Sequence, residues 1–211
     1  MQRRTFIVSL TCALLFAACG RSAKLPAIPP GSAVLAFGDS VTYGTGAAPG
    51  EDWPSRLSAM TRWSVINAGI PGDTAEAGKS RIAALLEEHR PALVIIEIGG
   101  NDFLRRRPQS AVKEDLRRII HAAKDARAVV VLVAVPEPSL LGVVARKASD
   151  SPIYEELGEE EAVPVIGDVF SDILSRAELR ADAIHPNAEG YRRMAEGLFE
   201  QLKEVGLVPA R

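Results

Sequence analysis

The chain of 211 residues contains two cysteines, Cys12 and Cys19, and both fall within its first 19 positions. That excludes a disulfide framework for a folded body, and no CxxC pair suggests a zinc ribbon or redox motif. Histidine is nearly as scarce, with only His89, His121 and His185. Without an HExxH helix, a zinc site would need carboxylates for most of its ligands, and no metal is expected. Basic residues hold no surplus, since 25 Lys and Arg face 27 Asp and Glu for a net charge of -2. A protein that neutralises phosphates needs the opposite balance, so no nucleic-acid partner is expected. No internal repeat interrupts the chain, and no apolar run reaches the roughly 20 residues that a spanning helix requires. What remains is 47% hydrophobic and 25% charged. This is the balance of a globular protein with one full core.

The N-terminus reads as an address. Met1-Gln2-Arg3-Arg4 precedes an apolar run that ends at Phe16-Ala17-Ala18, followed by Cys19-Gly20. A basic head, a short apolar stretch and a small-residue exit describe an export signal. Phe16-Ala17-Ala18-Cys19 resembles a bacterial lipobox, which makes Cys19 the lipidated first residue of a periplasmic, membrane-anchored protein. The plain alternative is a soluble exported protein cut near Ala18, with Cys19 a free thiol. Arg3-Arg4 also resembles a twin-arginine signal, but no Ser or Thr stands just before it, so the ordinary secretory route ranks higher. Residues 19–32 combine Pro, Gly and Ser without an apolar period and read as the lipidated cysteine and a flexible tether.

The body is expected over residues 33–211. Short β-branched runs appear at Ala33–Phe37, Ser64–Asn67, Leu93–Ile98, Ala128–Val135 and Val163–Ile166. Most are apolar at successive positions, as strands buried on both faces are. Helical periods lie between them: Leu116, Ile119, Ile120 and Ala123 share one face, and Tyr191, Met194, Leu198 and Leu202 share another. The alternation predicts an α/β fold, a parallel sheet of about five strands covered by helices on both sides. Ligands in such sheets bind beyond the carboxyl ends of the strands.

The chemistry collects in the loops at those ends. Ser40 follows the first strand in Gly38-Asp39-Ser40, where its hydroxyl can face a cleft; alone, it reads as a helix N-cap. Asp182-Ala-Ile-His185-Pro186 lies in a loop before the last helix. A hydroxyl nucleophile needs a base, and a carboxylate three residues before an imidazole can hold its other nitrogen. His121 falls opposite an apolar helix face and His89 sits near a helix C-terminus, so His185 is the best candidate base. Gly99-Gly100-Asn101-Asp102 ends the third strand, where the Asn101 amide could donate to an oxyanion. Asn67-Ala-Gly69-Ile-Pro-Gly72-Asp73-Thr74 ends the second and offers a further glycine N–H.

In that order these four segments resemble the SGNH, or GDSL, hydrolase family, over about 170 residues from Val34. NAGIPGDT and EIGGND parallel signatures of its bacterial thioesterase, lysophospholipase and arylesterase branch. The resemblance implies a three-layer, flavodoxin-like α/β/α sandwich and a serine esterase without cofactor, acting on small acyl esters or thioesters. It makes Ser40 the nucleophile, His185 the base and Asp182 its orienter. The oxyanion hole would comprise the Ser40 N–H, the Gly72 N–H and the Asn101 side chain. Asp39 and Glu97 are expected to be structural.

Two other classes of function remain in view, an esterase that deacetylates envelope polysaccharide and a surface lipoprotein that only binds. A rival motif, Gly72 to Gly78-Lys79-Ser80, nearly reads as a phosphate-binding loop, but Asp73 stands where that loop needs glycine. Phe103, Leu104, Leu140 and Leu141 are candidates for meeting an acyl chain. Arg105-Arg106-Arg107 is a candidate for meeting an anionic head group.

Overall fold

The computed structural model describes residues 24–137 and 147–209. Cys19, the expected export signal, Leu140 and Leu141 lie outside the described residues. Five parallel strands form one sheet: β1 (Ala33–Gly38), β2 (Ser64–Gly69), β3 (Leu93–Glu97), β4 (Val129–Val133) and β7 (Val165–Ile166), in the order β2-β1-β3-β4-β7. Every residue of β3 is buried and so are five of the six in β1, as expected for central strands covered on both faces. β2 is an edge strand and carries no buried residue. A small antiparallel pair, β5 (Pro136–Glu137) and β6 (Ser149–Asp150), lies beyond β4.

The helices make the two outer layers. α3 (Ala75–His89), α5 (Gln109–Asp125) and α6 (Ile153–Glu161) pack together on one face, while α2 (Trp53–Thr61), α7 (Val169–Leu174) and α8 (Ala188–Glu204) cover the other. Leu116, Ile119, Ile120 and Ala123 of α5 are buried, as are Tyr191, Met194, Leu198 and Leu202 of α8. Both expected faces therefore turn inward. Thr74 caps α3 by accepting from the Ala77 N–H, and Asn187 caps α8 by accepting from the Gly190 N–H. α3 ends at His89, two residues before Pro91.

Topology then selects the site. From β1 the chain moves out to β2 and crosses back to β3 on the other side of β1. A crevice opens where the strand order reverses in this way, outside the carboxyl ends of β1 and β3. Ser40 begins α1 (Ser40–Tyr43) after β1, and Asn101 lies in α4 (Gly100–Leu104) after β3.

Three expectations need correction. The last residues of the supposed tether are part of the body: the Leu25 N–H donates to Val205 O, the Ile28 N–H to Leu207 O and Trp63 Nε1 to Ile28 O. Ile28 is buried because the prolines around it lay an extended segment over Trp63 and the end of α8. Strand β7 is shorter than expected, because the Val163 N–H closes the end of α6 on Gly158 O and Pro164 has no N–H. Phe103 is a core residue, 9% exposed and edge-on to Tyr154.

Candidate active site

The turn after β1 is shaped by close approach. A side chain on Gly38 would lie 2.1 Å from Thr42 Oγ1 and 2.2 Å from Glu97 O, so only glycine fits where β1 passes into α1. Asp39 follows, buried, with Oδ1 accepting from the Val41 N–H at 3.0 Å. That bond caps the first turn and leaves Ser40 on its outer side, half-buried.

The loop before α8 brings the imidazole to Ser40. Arg180 bridges Pro186, the Ala181 N–H donates to His185 O, and Asn187 Nδ2 donates to Glu178 O. Within this frame Asp182 Oδ1 accepts from the Ile184 and His185 N–H groups, each at 2.8 Å. Asp182 Oδ2 lies 2.7 Å from His185 Nδ1, and His185 Nε2 lies 2.9 Å from Ser40 Oγ. Burial pushes the Asp182 carboxyl up, but the His185 hydrogen bond and the two backbone N–H groups outweigh it and hold the pKa below its ordinary value. An ionised carboxylate only accepts, so Nδ1 carries the imidazole proton and Nε2 can accept from the Ser40 hydroxyl.

Asn101 sits beside this array. Its Nδ2 donates to Asp73 O at 2.9 Å and to Asp39 Oδ2 at 3.1 Å, one residue from Ser40. Gly72 has φ +81°, its carbonyl accepts from Arg105 Nη2, and it is not among the residues lining the cleft next to Ser40. The structure thus joins Ser40, His185 and Asp182 in one hydrogen-bonded chain and ties Asn101 to Asp39 and Asp73, the neighbours of Ser40 and Gly72.

Two buried acids lie behind the serine. Burial pushes Asp39 up to about 6, against the lowering effects of the Val41 N–H, His185 and Asn101. Burial drives Glu97 well above the carboxylate range, with the nearby Asp39 charge adding to it. Thr42 Oγ1 donates to Glu97 Oε2 at 2.7 Å, which offsets part of that rise.

A cleft of about 850 Å³ opens at Ser40, Asn101 and His185. Leu104, Val135, Phe170, Leu174 and Ile184 are among the apolar residues of its wall. Of the residues expected to meet an acyl chain, Leu104 is in place. Phe170 and Leu174 went unread in the sequence, although α7 follows strand β7 and so starts at a carboxyl end. Arg107 is no free cation: it pairs with buried Asp102 and with Asp115, which also holds Lys79. Arg81 is a further brace that the sequence does not announce. It pairs with Asp73, donates to Ala68 O and Gly38 O, and lies over the Phe37 ring at 4.1 Å. These pairings, and the burial of Gly78 inside α3, remove the phosphate-loop reading. His121 is exposed and faces Glu161, and His89 closes α3, both away from the cleft.

Comparison with known proteins agrees with this architecture. Residues 36–193 match the model of the GDSL-like Lipase/Acylhydrolase family. The chain belongs to that family. It is 32% identical over 175 residues to the thioesterase 1/protease 1/lysophospholipase L1 of Escherichia coli K12, covering 82% of this chain and 84% of the relative. It is also 32% identical over 177 residues to an arylesterase of Vibrio mimicus, covering 80% and 87%. The crystal structure of TesA superimposes with a TM-score of 0.74 at 28% identity, over 82% of this chain and 99% of that one. The esterase EstA from Pseudoalteromonas shares the fold, with a TM-score of 0.72 at 24% identity over 82% and 97%. The chain is accordingly a serine hydrolase acting on ester bonds, with the α/β fold of SGNH hydrolases. No helix among the described residues is long and apolar enough to cross a membrane.

Proposed function

We propose that the protein hydrolyses small acyl esters or thioesters through an acyl-enzyme on Ser40, with His185 as base and acid and Asp182 as its orienter. One observation carries the reading: the unbroken chain from Ser40 Oγ to His185 Nε2 at 2.9 Å and from His185 Nδ1 to Asp182 Oδ2 at 2.7 Å. Ser40 Oγ attacks the carbonyl carbon as its proton passes to Nε2, and the imidazolium is stabilised by the Asp182 carboxylate. The carbonyl oxygen becomes an oxyanion facing the Ser40 N–H, the Gly72 N–H and Asn101 Nδ2, which exchanges one of its two hydrogen bonds, to Asp39 or Asp73, for the oxyanion. Collapse breaks the ester C–O or thioester C–S bond, and His185 returns the proton to the leaving group. Water then attacks the acyl-enzyme by the same route, releasing the acid and restoring Ser40.

The apolar wall of Leu104, Val135, Phe170, Leu174 and Ile184 supports an acyl chain as the part of the substrate held in the cleft. The relatives named thioesterase, lysophospholipase and arylesterase support the same range of leaving groups. Export and lipid attachment at Cys19 complete the proposal, placing the enzyme in the bacterial envelope as a membrane-anchored lipoprotein. A fluorophosphonate probe tests the site. It should label Ser40 alone, and Ser40→Ala should abolish both labelling and turnover while the protein stays folded; labelling elsewhere or retained turnover overturns the assignment.

A further inference from the structure

The docked N-terminal segment fixes which way an anchored enzyme faces. Lys24 lies against Gly206, just past the end of α8, and Leu25 and Ile28 are hydrogen-bonded to Val205 and Leu207. Gly31 then donates to Arg62 O, and β1 begins at Ala33. The body therefore takes up the chain at the amino ends of the strands. Ser40 and His185 lie at the carboxyl ends. Two elements measure the separation. The six residues of β1 run from Ala33 to the turn holding Ser40, about 20 Å. The 17 residues of α8 run from beside His185 back to the segment's docking place, about 25 Å.

Only Gly20–Ala23 separate Cys19 from Lys24. Even fully extended, that stretch lets Cys19 lie at most about 18 Å from Lys24. A domain of this size is about 40 Å across. To press the cleft against the bilayer that holds Cys19, the chain would have to span the roughly 20–25 Å from the docking place to the carboxyl ends of the strands, and its reach of about 18 Å falls short. A free tether over residues 19–32 would have had the reach. The docking of residues 25–28 removes it.

We infer that the membrane-anchored enzyme holds its cleft away from its own bilayer and acts on acyl esters or thioesters reaching it from the aqueous side, not on lipids of the leaflet in which it is anchored. This rests on the reading of Cys19 as lipidated and of Ser40 as the nucleophile. A linker that cannot span two sites gives an effective concentration near zero, however good the site itself is. The anchor thus acts as a specificity device, sparing the anchoring leaflet while the cleft stays open to solvent.

The test uses the full lipidated protein in dilute vesicles, where contact between vesicles is negligible. Two fluorogenic umbelliferyl esters serve as probes: a butyrate dissolved in the water, and the longest-chain ester that the enzyme turns over in detergent, dissolved in the anchoring bilayer. The variant carries about 30 Gly/Ser residues inserted after Gly20, with a root-mean-square reach of roughly 30 Å. Insertion should leave the butyrate rate and the rates in detergent unchanged and raise hydrolysis of the bilayer-held ester at least about tenfold. Equal rates on that ester for the two proteins, whether high or nil, overturn the inference. The underlying readings fail separately, by an intact mass without lipid on Cys19 or by no ester turnover in detergent.

Discussion

Replacing Asn101 with alanine separates catalysis from bracing, because the structure gives this side chain both duties. Its Nδ2 holds Asp73 O at 2.9 Å and Asp39 Oδ2 at 3.1 Å, and the substitution removes both bonds. A neutral hydrogen bond contributes about 1 kcal/mol and one to a charged acceptor about 1.5–3 kcal/mol, so the loss of stability should be about 2–4 kcal/mol. That is less than the stability of a typical domain, and most molecules should remain folded. The same amide is the proposed side-chain donor to the oxyanion. Losing one such donor lowers kcat on the order of 10²–10³-fold, about 3–4 kcal/mol of transition-state stabilisation. KM for a small soluble ester should change little, since the charge appears only in the transition state. Urea denaturation and steady-state kinetics on one preparation give both quantities, with kcat corrected for the folded fraction. A corrected kcat within about threefold of wild type would refute the oxyanion role however large the stability loss, because bracing alone predicts that pattern.

Three further outcomes follow from the geometry. Asp182→Asn should lower kcat on the order of 10³–10⁴-fold at pH 7, because an amide can donate to Nδ1 and force the tautomer whose Nε2 carries the proton; a loss below about tenfold argues against Asp182 as the orienter. Asp39 sits at about 6 in the fold against an ordinary 3.8, so its protonated form is favoured when folded. Its stabilising contribution is then complete below about pH 4 and lost as pH rises through 6, a change of about 3 kcal/mol. Urea denaturation should show wild type losing that much relative to Asp39→Asn between pH 4 and 7, and a constant difference defeats the argument. Glu97→Gln should cost about 1–3 kcal/mol, because Glu97 Oε1 is buried with no hydrogen-bond partner among the described residues and the amide Nε2 placed there would leave its N–H donors unpaired, while Thr42 can still donate to the amide oxygen; a loss below about 0.5 kcal/mol on urea melting defeats the argument.

Much of the fold was legible because its signals are local. The central strand runs are apolar at successive positions because burial on both faces demands it, and the strand bounds hold to within two residues; β2, at the edge, carries the polar Ser64 and Asn67. The stripes on α5 and α8 are as direct. Ser40, Asn101, Asp182 and His185 stood out for a related reason: each lies in a short segment of turn-forming residues beside a strand end or helix start, and the topology of a parallel sheet gathers such segments at one edge. Their partnership was expected from their order. The 2.7 and 2.9 Å contacts are the tertiary fact that supports it.

What stayed hidden depends on partners distant in sequence. Three consecutive arginines look alike as a charge run, yet Arg107 is committed to Asp102 and Asp115, Arg105 reaches the Gly72 carbonyl, and nothing in the run distinguishes them. Arg81 offers no periodic signal either, although it ties the ends of β1 and β2 together through Gly38 O and Ala68 O. The N-terminal segment shows the same limit from the other side. Its prolines and glycine describe an unstructured tether by composition, and only the groove beside Trp63 and the end of α8 turns Leu25 and Ile28 into docked residues. Composition reports what a segment can do when it is alone. A few well-placed acceptors on the body decide whether it is left alone, as the Val205 and Leu207 carbonyls do for Leu25 and Ile28.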